Sequence, residues 1–308
     1  MGLLQRLLET LLVLVGVAVL VFLLLHLVPG DPVQVMLGES ARASDVAKLR
    51  RALGLDRPLP EQLLGFFQRL LQGDLGESLQ QHRPVAALIA ERLPATLELA
   101  LAAFGVALLA AIPLGVTAAR HVGRWPDRAA SGFALLGLSI PNFWLGPMLI
   151  LLFSIALGWA PVSGRDGLGS LVLPAVTLGL SMAAITMRMV RSTLLEVLDQ
   201  AFIRTAHAKG QSASRVLWRH ALPNAALPIL TLLGLQLGGL LAGAVITETV
   251  FAWPGMGKLI IDSIFQLDRP VIVAYLIVIV CLFITINLVV DILYAILDPR
   301  VRLSDQKA

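Results

Sequence analysis

The segment from 271 to 297 reads VIVAYLIVIVCLFITINLVVDILYAIL, and Asp291 is its one charged residue. A helix that crosses a bilayer needs about 20 apolar residues, because the hydrocarbon core is about 30 Å thick. Within that core only helices and closed barrels satisfy their own backbone hydrogen bonds. This segment therefore predicts a membrane-spanning helix.

Five more apolar runs lie along the chain. The composition agrees with a lipid environment, because 57% of all residues are hydrophobic and only 14% are charged, against about 25% charged residues in soluble domains. We predict an all-α, polytopic membrane protein with three parts: the N-terminus and first span (1–28), an extracytoplasmic helical loop (29–94) and a core with five spans (95–308). The six predicted spans are 7–28, 95–119, 129–157, 168–187, 225–250 and 271–297.

Lysine and arginine counts in the loops predict the orientation, because cytoplasmic loops carry an excess of both. With the N-terminus inside, 13 basic residues face the cytoplasm, and three lie in the two short opposite loops (Arg165, Lys258 and Arg269). Loops as long as 29–94 cross largely regardless of charge. We therefore predict that both termini are cytoplasmic. The 13 residues are Arg6, Arg120, Arg124, Arg128, Arg188, Arg191, Arg204, Lys209, Arg215, Arg219, Arg300, Arg302 and Lys307.

The net charge of +4 does not indicate a nucleic-acid partner. The basic residues lie in short segments between the spans, where membrane topology places them, and no stripe of alternating aromatic and basic residues predicts a single-strand binding surface. The single cysteine, Cys281, excludes an internal disulfide and a cysteine-based zinc site. Membrane lipid is the predicted surrounding.

The longest predicted cytoplasmic segment is 188–224. A helical pattern in it ends at Lys209, and Gly210 follows where a helix commonly ends on a left-handed glycine. Ser212 is placed to cap a second helix, which Pro223 is expected to end before the next span. The segment is predicted to be a helix-glycine-helix unit.

Phe202, Ala206 and Ala208 give the first of these two helices a small apolar contact face. The pattern alone fits two interpretations. The helices form an amphipathic pair at the membrane surface, or they dock onto a cytosolic partner.

The predicted extracytoplasmic loop contains three short helical patterns, at 44–53, 60–71 and 84–93. They again fit two interpretations. The small helices pack on the outer face of the membrane, or they form a docking surface for an extracytoplasmic partner.

The spacing within 188–224 resembles the coupling motif of binding-protein-dependent ABC importers: Glu-Ala-Ala, three residues, Gly, nine residues, Ile, one residue, Leu-Pro. Three positions depart from it, namely Arg204, Thr205 and His220, and the Arg-Thr-Ala wording is similar to the peptide and nickel branch. The positions in register are Arg204, Thr205, Ala206, Gly210, His220, Leu222 and Pro223.

Other segments resemble the same branch in the correct order along the whole chain. The chain is thus similar to the B-type permeases of dipeptide, oligopeptide and nickel importers. The resemblance implies a type I ABC importer permease fold and a permease that imports peptides, with nickel and glutathione as the alternatives. The segments are 29–32, 53–59, 73–78, 94–99, 139–144, 251–257 and 298–300.

The resemblance also implies an assembly in the bacterial cytoplasmic (inner) membrane. Its other members are a second homologous permease subunit, two ATPase subunits and an extracytoplasmic solute-binding protein. The chain has no G-x-x-x-x-G-K-[ST] phosphate loop, so we expect no enzyme activity and no cofactor on it, with ATP and Mg on the partner subunits. The residues that the resemblance assigns to ATPase coupling, within 204–223, are Arg204, Thr205, Ala206, Ala208, Lys209, Gly210, Leu222 and Pro223.

Polar side chains within spans are costly and suggest function. Those of the predicted spans either line a solute pathway or join helices by hydrogen bonds. His26 and Glu248 lie near a membrane boundary, where an interfacial position is expected, and Arg188 is a candidate to pair with Asp291. The candidate pathway residues are Asn142, Trp144, Gln236, Thr247, Glu248 and Asn287.

Proline and small residues predict local features of the spans. Prolines bend or break helices, and glycines allow close helix packing, which for the fifth span we expect against the partner permease. The prolines are Pro113, Pro141, Pro147 and Pro228, and the glycines are Gly234, Gly238, Gly239 and Gly243.

An ion-driven secondary transporter is the rival interpretation from another class. Such carriers favour matched inverted halves and central ionisable residues, and neither is clear in this sequence. Co-purification of ATPase subunits, against transport driven by an ion gradient alone, discriminates the two.

Overall fold

The structure is a computed structural model that describes residues 12–23, 33, 37, 42–52 and 54–297. Helices make up most of this part of the chain, and β-pairing within it amounts to an isolated bridge between Glu77 and Pro84. The all-α prediction is confirmed. The helices are α1 (Leu12–Leu23), α2 (Ala43–Ala52), α3 (Leu59–Leu71), α4 (Val85–Arg120), α5 (Trp125–Ser139), α6 (Asn142–Leu149), α7 (Leu168–Leu198), α8 (Ala201–Ala208), α9 (Ala213–Val216), α10 (Leu222–Val250), α11 (Met256–Phe265) and α12 (Arg269–Leu297).

Long apolar helices occupy the predicted second, fourth, fifth and sixth spans. Each of them is long and apolar enough to cross a membrane. Of the predicted first span, 7–28, the structure describes α1, which is apolar but shorter. The long stretches are Val85–Arg120, Leu168–Leu198, Ala213–Leu240 and Arg269–Val290.

The predicted third span, 129–157, is not one straight helix. It is broken between α5 and α6, which meet at 103°. Ile140 is extended (φ −90°, ψ 116°) in front of Pro141, because a proline ring disfavours the helical conformation of the residue before it. The prediction that Pro141 breaks its span is therefore confirmed, and Ile150–Ala156 continues α6 as a π-helix around Pro147.

The third helix predicted in the loop, 84–93, is not separate. It forms the beginning of α4, which continues through Pro94 and Pro113. Helices α2 and α3 match the other two predicted patterns. Proline is tolerated inside a long apolar helix where neighbouring groups satisfy the freed backbone, and α10 likewise continues through Pro228.

The chain divides into two compact units, residues 1–94 with 258–284 and residues 95–257 with 285–308. In the first unit, the segment before α4 is fastened to the start of α12. The Ser78 hydroxyl and the Leu79 backbone N–H both donate to the Asp268 carboxylate, and the Gln80 side chain donates to the Gln266 carbonyl at 3.0 Å.

In the second unit, α7 is packed on both α4 and α5 at very short range. A Cβ atom added to Gly179 would stand 2.6 Å from the Ala103 carbonyl oxygen, and one added to Gly137 would stand 2.9 Å from the Ala184 Cβ. The facing side of α4 repeats a small or apolar residue every fourth position. These fully buried residues are Ala95, Leu99, Ala103, Ala107 and Ala111.

The glycines of α10 have different surroundings. Gly234 packs against Val290 of α12, where a Cβ would stand 2.8 Å from a valine methyl, whereas Gly239 meets nothing within 4 Å. Gly234 therefore serves packing inside this chain. Packing of the stripe against a partner permease stays a prediction.

We predict that Gly179→Ala destabilises the protein by about 1–3 kcal/mol, because the added methyl overpacks the α4–α7 contact. The free energy of unfolding, followed by titrating SDS into the detergent-purified protein, measures this. Gly105→Ala on α4 is the matched control, because nothing lies within 4 Å of its Cβ position. Equal stability of the two variants would show that the short helix contact is not needed.

Candidate functional site

We name residues 188–224 the coupling segment and begin at its first turn. Helix α8 follows α7 after two residues, Asp199 and Gln200. The Arg204 guanidinium folds back from α8 and donates to the Asp199 carbonyl and carboxylate at 3.2 Å and 3.1 Å. This exposed pair spans the corner between the two helices.

Apolar side chains hold α8 against the rest of the second unit. Ile203 and Ala206 are buried in one cluster with residues of α4, α7 and α10. Phe202 and Ala208 are exposed. The predicted contact face therefore divides: Ala206 packs inside the chain, and Phe202 and Ala208 remain on the surface.

The turn after α8 is a Schellman motif. Gly210 has a left-handed backbone (φ +77°), its N–H donates to the His207 carbonyl, and the Gln211 N–H donates to the Ala206 carbonyl at 3.3 Å. The prediction that Gly210 ends the first helix is confirmed. No atom lies within 4 Å of a Cβ at this position, so the backbone conformation alone favours glycine.

The second helix of the segment does not stop at Pro223. Ser212 caps α9 by accepting from the Arg215 N–H, as predicted, but a π-helix (Leu217–Ala221) then leads directly into α10. The π-helix accommodates Pro223, which has no backbone N–H to donate. The Asn224 side chain donates to the His220 carbonyl at 2.6 Å. Pro223 thus lies at the start of α10, inside a continuous helical path.

The remaining predicted coupling residues lie on or near the same surface. Thr205 is exposed and donates to the Ala201 carbonyl within α8. Lys209 is exposed, and Leu222 is half-buried against the cluster that holds Ile203. Gln211 adds a further link across the turn, since its side-chain oxygen lies 2.7 Å from His220 Nε2.

A second polar cluster lies at the opposite end of α10, roughly 40 Å along the helix from its start. Glu248 is fully buried. The Thr96 hydroxyl donates to Glu248 Oε1 at 2.7 Å and accepts from the Met256 N–H at 2.7 Å. Protein atoms therefore enclose Glu248, and its position near a membrane boundary stays a prediction.

The loop after α10 closes over this carboxylate. Trp253 is fully buried, and its indole N–H donates to the Ala95 carbonyl at 2.8 Å. A Cβ on Gly255 would collide with the Glu248 carboxyl group. Arg165, which pairs with Glu98, lies 5.9 Å from the Trp253 ring centre. The loop, the start of α4 and the end of α10 therefore form one fixed polar cluster.

The six candidate pathway residues lie on three helices, and their role in a pathway stays a prediction. Asn142 and Trp144 are on α6, half-buried and exposed respectively. Asn287 is half-buried on α12. Thr247 and Glu248 are buried at the end of α10, and among the described residues the Thr247 hydroxyl has no hydrogen-bond partner.

Gln236, the remaining candidate, joins two helices. Its side-chain oxygen accepts from the Thr186 hydroxyl of α7 at 2.8 Å. Its amide nitrogen is buried, and within the part of the chain that the structure describes it finds no acceptor. For Gln236 the geometry therefore supports a helix-joining role.

Two other sequence predictions have separate outcomes. Arg188 is exposed on α7. His26 and the side chain of Asp291 lie outside the residues that the structure describes, so the proposed Arg188–Asp291 pair stays a prediction.

Sequence reasoning missed three residues of these sites: Thr96, Gln211 and Asp127, whose carboxylate pairs with Arg191. Asp127 carried a signal, because it is the one acidic residue among the basic residues of 120–128. The sequence gives no such signal for Thr96 or Gln211. Thr96 contacts a residue distant along the chain, and Gln211 contacts His220 across a turn.

Comparison with known families decides the classification. The family described as "Binding-protein-dependent transport system inner membrane component" matches residues 111–303, and the N-terminal component of the same transport systems matches residues 2–100. The chain belongs to this family. It is a multi-pass protein of the bacterial inner membrane and a component of an ABC importer, as the resemblance implied.

Named relatives cover nearly the whole chain. The glutathione transport system permease protein GsiC of Salmonella choleraesuis (strain SC-B67) is 44% identical over 299 residues, which are 97% of this chain and 98% of that protein. GsiC of Escherichia coli (strain K12) is 43% identical over 298 residues, or 97% of each chain.

Solved structures show the same fold at lower identity. A chain of the MetNI methionine ABC transporter, in an inward-facing conformation, superposes with a TM-score of 0.59 at 19% identity and covers 68% of this permease and 96% of its own length. A chain of an amino acid ABC transporter gives a TM-score of 0.51 at 16% identity, covering 70% and 94%. The predicted type I importer permease fold is confirmed.

We predict that Thr96→Val destabilises the permease by about 2 kcal/mol or more, because a valine of similar shape leaves a buried carboxylate oxygen and the Met256 N–H without the hydroxyl. Titration with SDS measures the free energy of unfolding. Thr249→Val is the matched control, since Thr249 is exposed and bonds its own helix. A Thr96 variant as stable as the control would contradict a structural role for the cluster.

Proposed function

We propose that this permease forms half of a translocation pathway in the inner membrane, and that the coupling segment receives motion from an ATPase subunit. A second homologous permease forms the other half, two ATPase subunits bind from the cytoplasm, and a solute-binding protein delivers solute from outside. ATP and Mg are bound by the ATPase subunits. Both termini are cytoplasmic, in agreement with the basic residues of the loops.

The observation that carries this proposal is the form of α8. It is a short helix with an exposed outer side, including Phe202 and Ala208, and a buried inner side, Ile203 and Ala206. The buried side of such a helix packs against the rest of the permease, and its exposed side is accessible to a partner subunit. A force on its outer side is transmitted to α7 and α10, because side chains of both helices share the buried cluster.

For the solute we propose a small peptide, with the tripeptide glutathione as the first to test. Two observations support it. The Arg-Thr-Ala wording at 204–206 is similar to the peptide and nickel branch, and the relatives at 43–44% identity are named glutathione permeases. Dipeptides, longer oligopeptides and nickel are the comparison solutes.

The permease, tagged and purified from its host membrane, tests the assembly. We expect two ATPase subunits that carry a phosphate loop and a second permease to co-purify with it. Proteoliposomes of this complex, with the binding protein added outside, should then accumulate labelled glutathione only when ATP is enclosed in the lumen, on the cytoplasmic side of the complex. Uptake driven by a proton or sodium gradient without ATP would establish the secondary carrier instead.

We predict that Gly210→Val abolishes most ATP-driven uptake while the level of permease in the membrane stays unchanged. The left-handed backbone costs a β-branched residue about 1–2 kcal/mol or more, which shifts the turn that orients α8. Gly210→Asn is the matched control, because asparagine tolerates this conformation and the surroundings are open. Uptake and solute-stimulated ATP hydrolysis are both measured. Wild-type values in the valine variant would contradict the role of the turn.

A further inference from the structure

A partly buried ion pair joins Asp127 of α5 to Arg191 of α7, within the first turns of the coupling segment. Arg191 donates from Nε to Asp127 Oδ1 at 2.6 Å and from Nη2 to Asp127 Oδ2 at 2.9 Å. The same Oδ2 accepts from the Gly123 backbone N–H at 2.9 Å. Two parallel hydrogen bonds between guanidinium and carboxylate fix both the distance and the angle of the two helices.

Burial sets this pair apart from the others. Asp127 is 6% exposed. Four other pairs, Arg83–Glu91, Arg165–Glu98, Arg204–Asp199 and Lys258–Asp262, have both side chains more than a third exposed. Exposed pairs contribute little to stability. A buried pair is different, because the loss of one partner leaves the other charge uncompensated in the protein interior.

On one side, the pair leads to α8. Arg191 lies two turns, or about 10 Å, before the end of α7 at Leu198. α7 is unbroken over this distance, and Val190, Leu194 and Val197 on it belong to the cluster that seats α8. A displacement of α8 therefore reaches Arg191 through a rigid helix.

On the other side, the pair leads to the broken span. Asp127 is in the first turn of α5 and also holds the turn that precedes it through Gly123. α5 then packs on α7 at Gly137 and ends at Ser139, directly before the 103° break. A displacement that reaches Asp127 therefore moves all of α5 up to Ile140.

We propose that Asp127 and Arg191 are positioning residues that make α5 and the end of α7 move as one body with α8. The break at Ile140-Pro141 then takes up the movement, and α6 follows at a changed angle. The pair stays closed throughout the transport cycle, since opening it would leave the buried Asp127 carboxylate without its partner charge. This inference rests on the proposed function, because it takes α8 as the contact for the ATPase.

The test uses the complete complex of both permeases, ATPase subunits and binding protein in proteoliposomes. We compare Asp127→Asn and Arg191→Gln with the wild type by the number of glutathione molecules imported per ATP hydrolysed. Asparagine keeps the shape of the side chain and an oxygen for the Gly123 N–H. Its NH2 group cannot accept from the Arg191 Nε–H, so the substitution removes the charge and one hydrogen bond of the pair.

We expect the number of molecules imported per ATP to fall about fivefold or more in both variants. The reversed pair, Asp127→Arg with Arg191→Asp, should recover part of the loss, which a merely local structural defect would not do. Arg83→Gln is the matched control, because both side chains of the Arg83–Glu91 pair are about half exposed and exposed pairs contribute little. An unchanged import per ATP in Asp127→Asn and Arg191→Gln overturns the proposal.

A cross-link keeps the test decisive if the single variants fail to assemble. Asp127→Cys and Arg191→Cys, in a Cys281→Ser background, are joined by a short bis-maleimide, which adds to both thiols without an oxidant. Import per ATP should be low in the unlinked double-cysteine variant and rise on cross-linking, because the link replaces the ion pair. No rise, or a further loss, on cross-linking overturns the proposal. Failure of the proposed function is recognised separately, because the wild-type complex then shows no ATP-driven uptake at all.

Discussion

The architecture of the second unit depends on how closely two backbones approach at Gly179. Helix α7 meets α4 there at a separation that leaves no room for a Cβ atom. The column of alanines on α4 continues this narrow contact along the helix. In lipid, helices gain little from hydrophobic association and depend on van der Waals packing, which short distances favour. The bulky apolar side chains are thereby left for lipid and for partner subunits, and α7 becomes the rigid element to which α5 and α10 attach.

The two ends of α10 serve this rigid frame in different ways. After Val250 the chain closes over the buried Glu248 carboxylate. Thr96 donates to this carboxylate on α10, and Trp253 donates to the Ala95 carbonyl at the start of α4. At Leu222 the chain instead leads into an exposed helix and a turn with open space around Gly210. One end is held by buried hydrogen bonds, and the other leads into exposed residues. This asymmetry is what a permease needs if force enters on one side of the membrane.

Much of this could be predicted from the sequence, because apolar length and glycine position are local signals. The helix-glycine-helix unit around Gly210 and Ser212 followed from the residues alone. The continuity of α9 with α10 did not, because proline normally ends a helix and the π-turn before Pro223 leaves no trace in the sequence. The burial of Glu248 was also missed. Its partner Thr96 is 152 positions away along the chain, and position in a span does not distinguish a boundary facing water from one enclosed by protein.

The 103° break between α5 and α6 has a consequence for the solvent around it. A helix that begins inside a membrane leaves its first backbone N–H groups without partners in its own turn. Acyl chains offer these donors no acceptor, so non-helical backbone at that depth is stable only beside protein or a water-filled cavity. If the corner at Pro141 lies at the depth of the acyl chains, it has to face protein or water there, and fatty-acid tails are excluded from it.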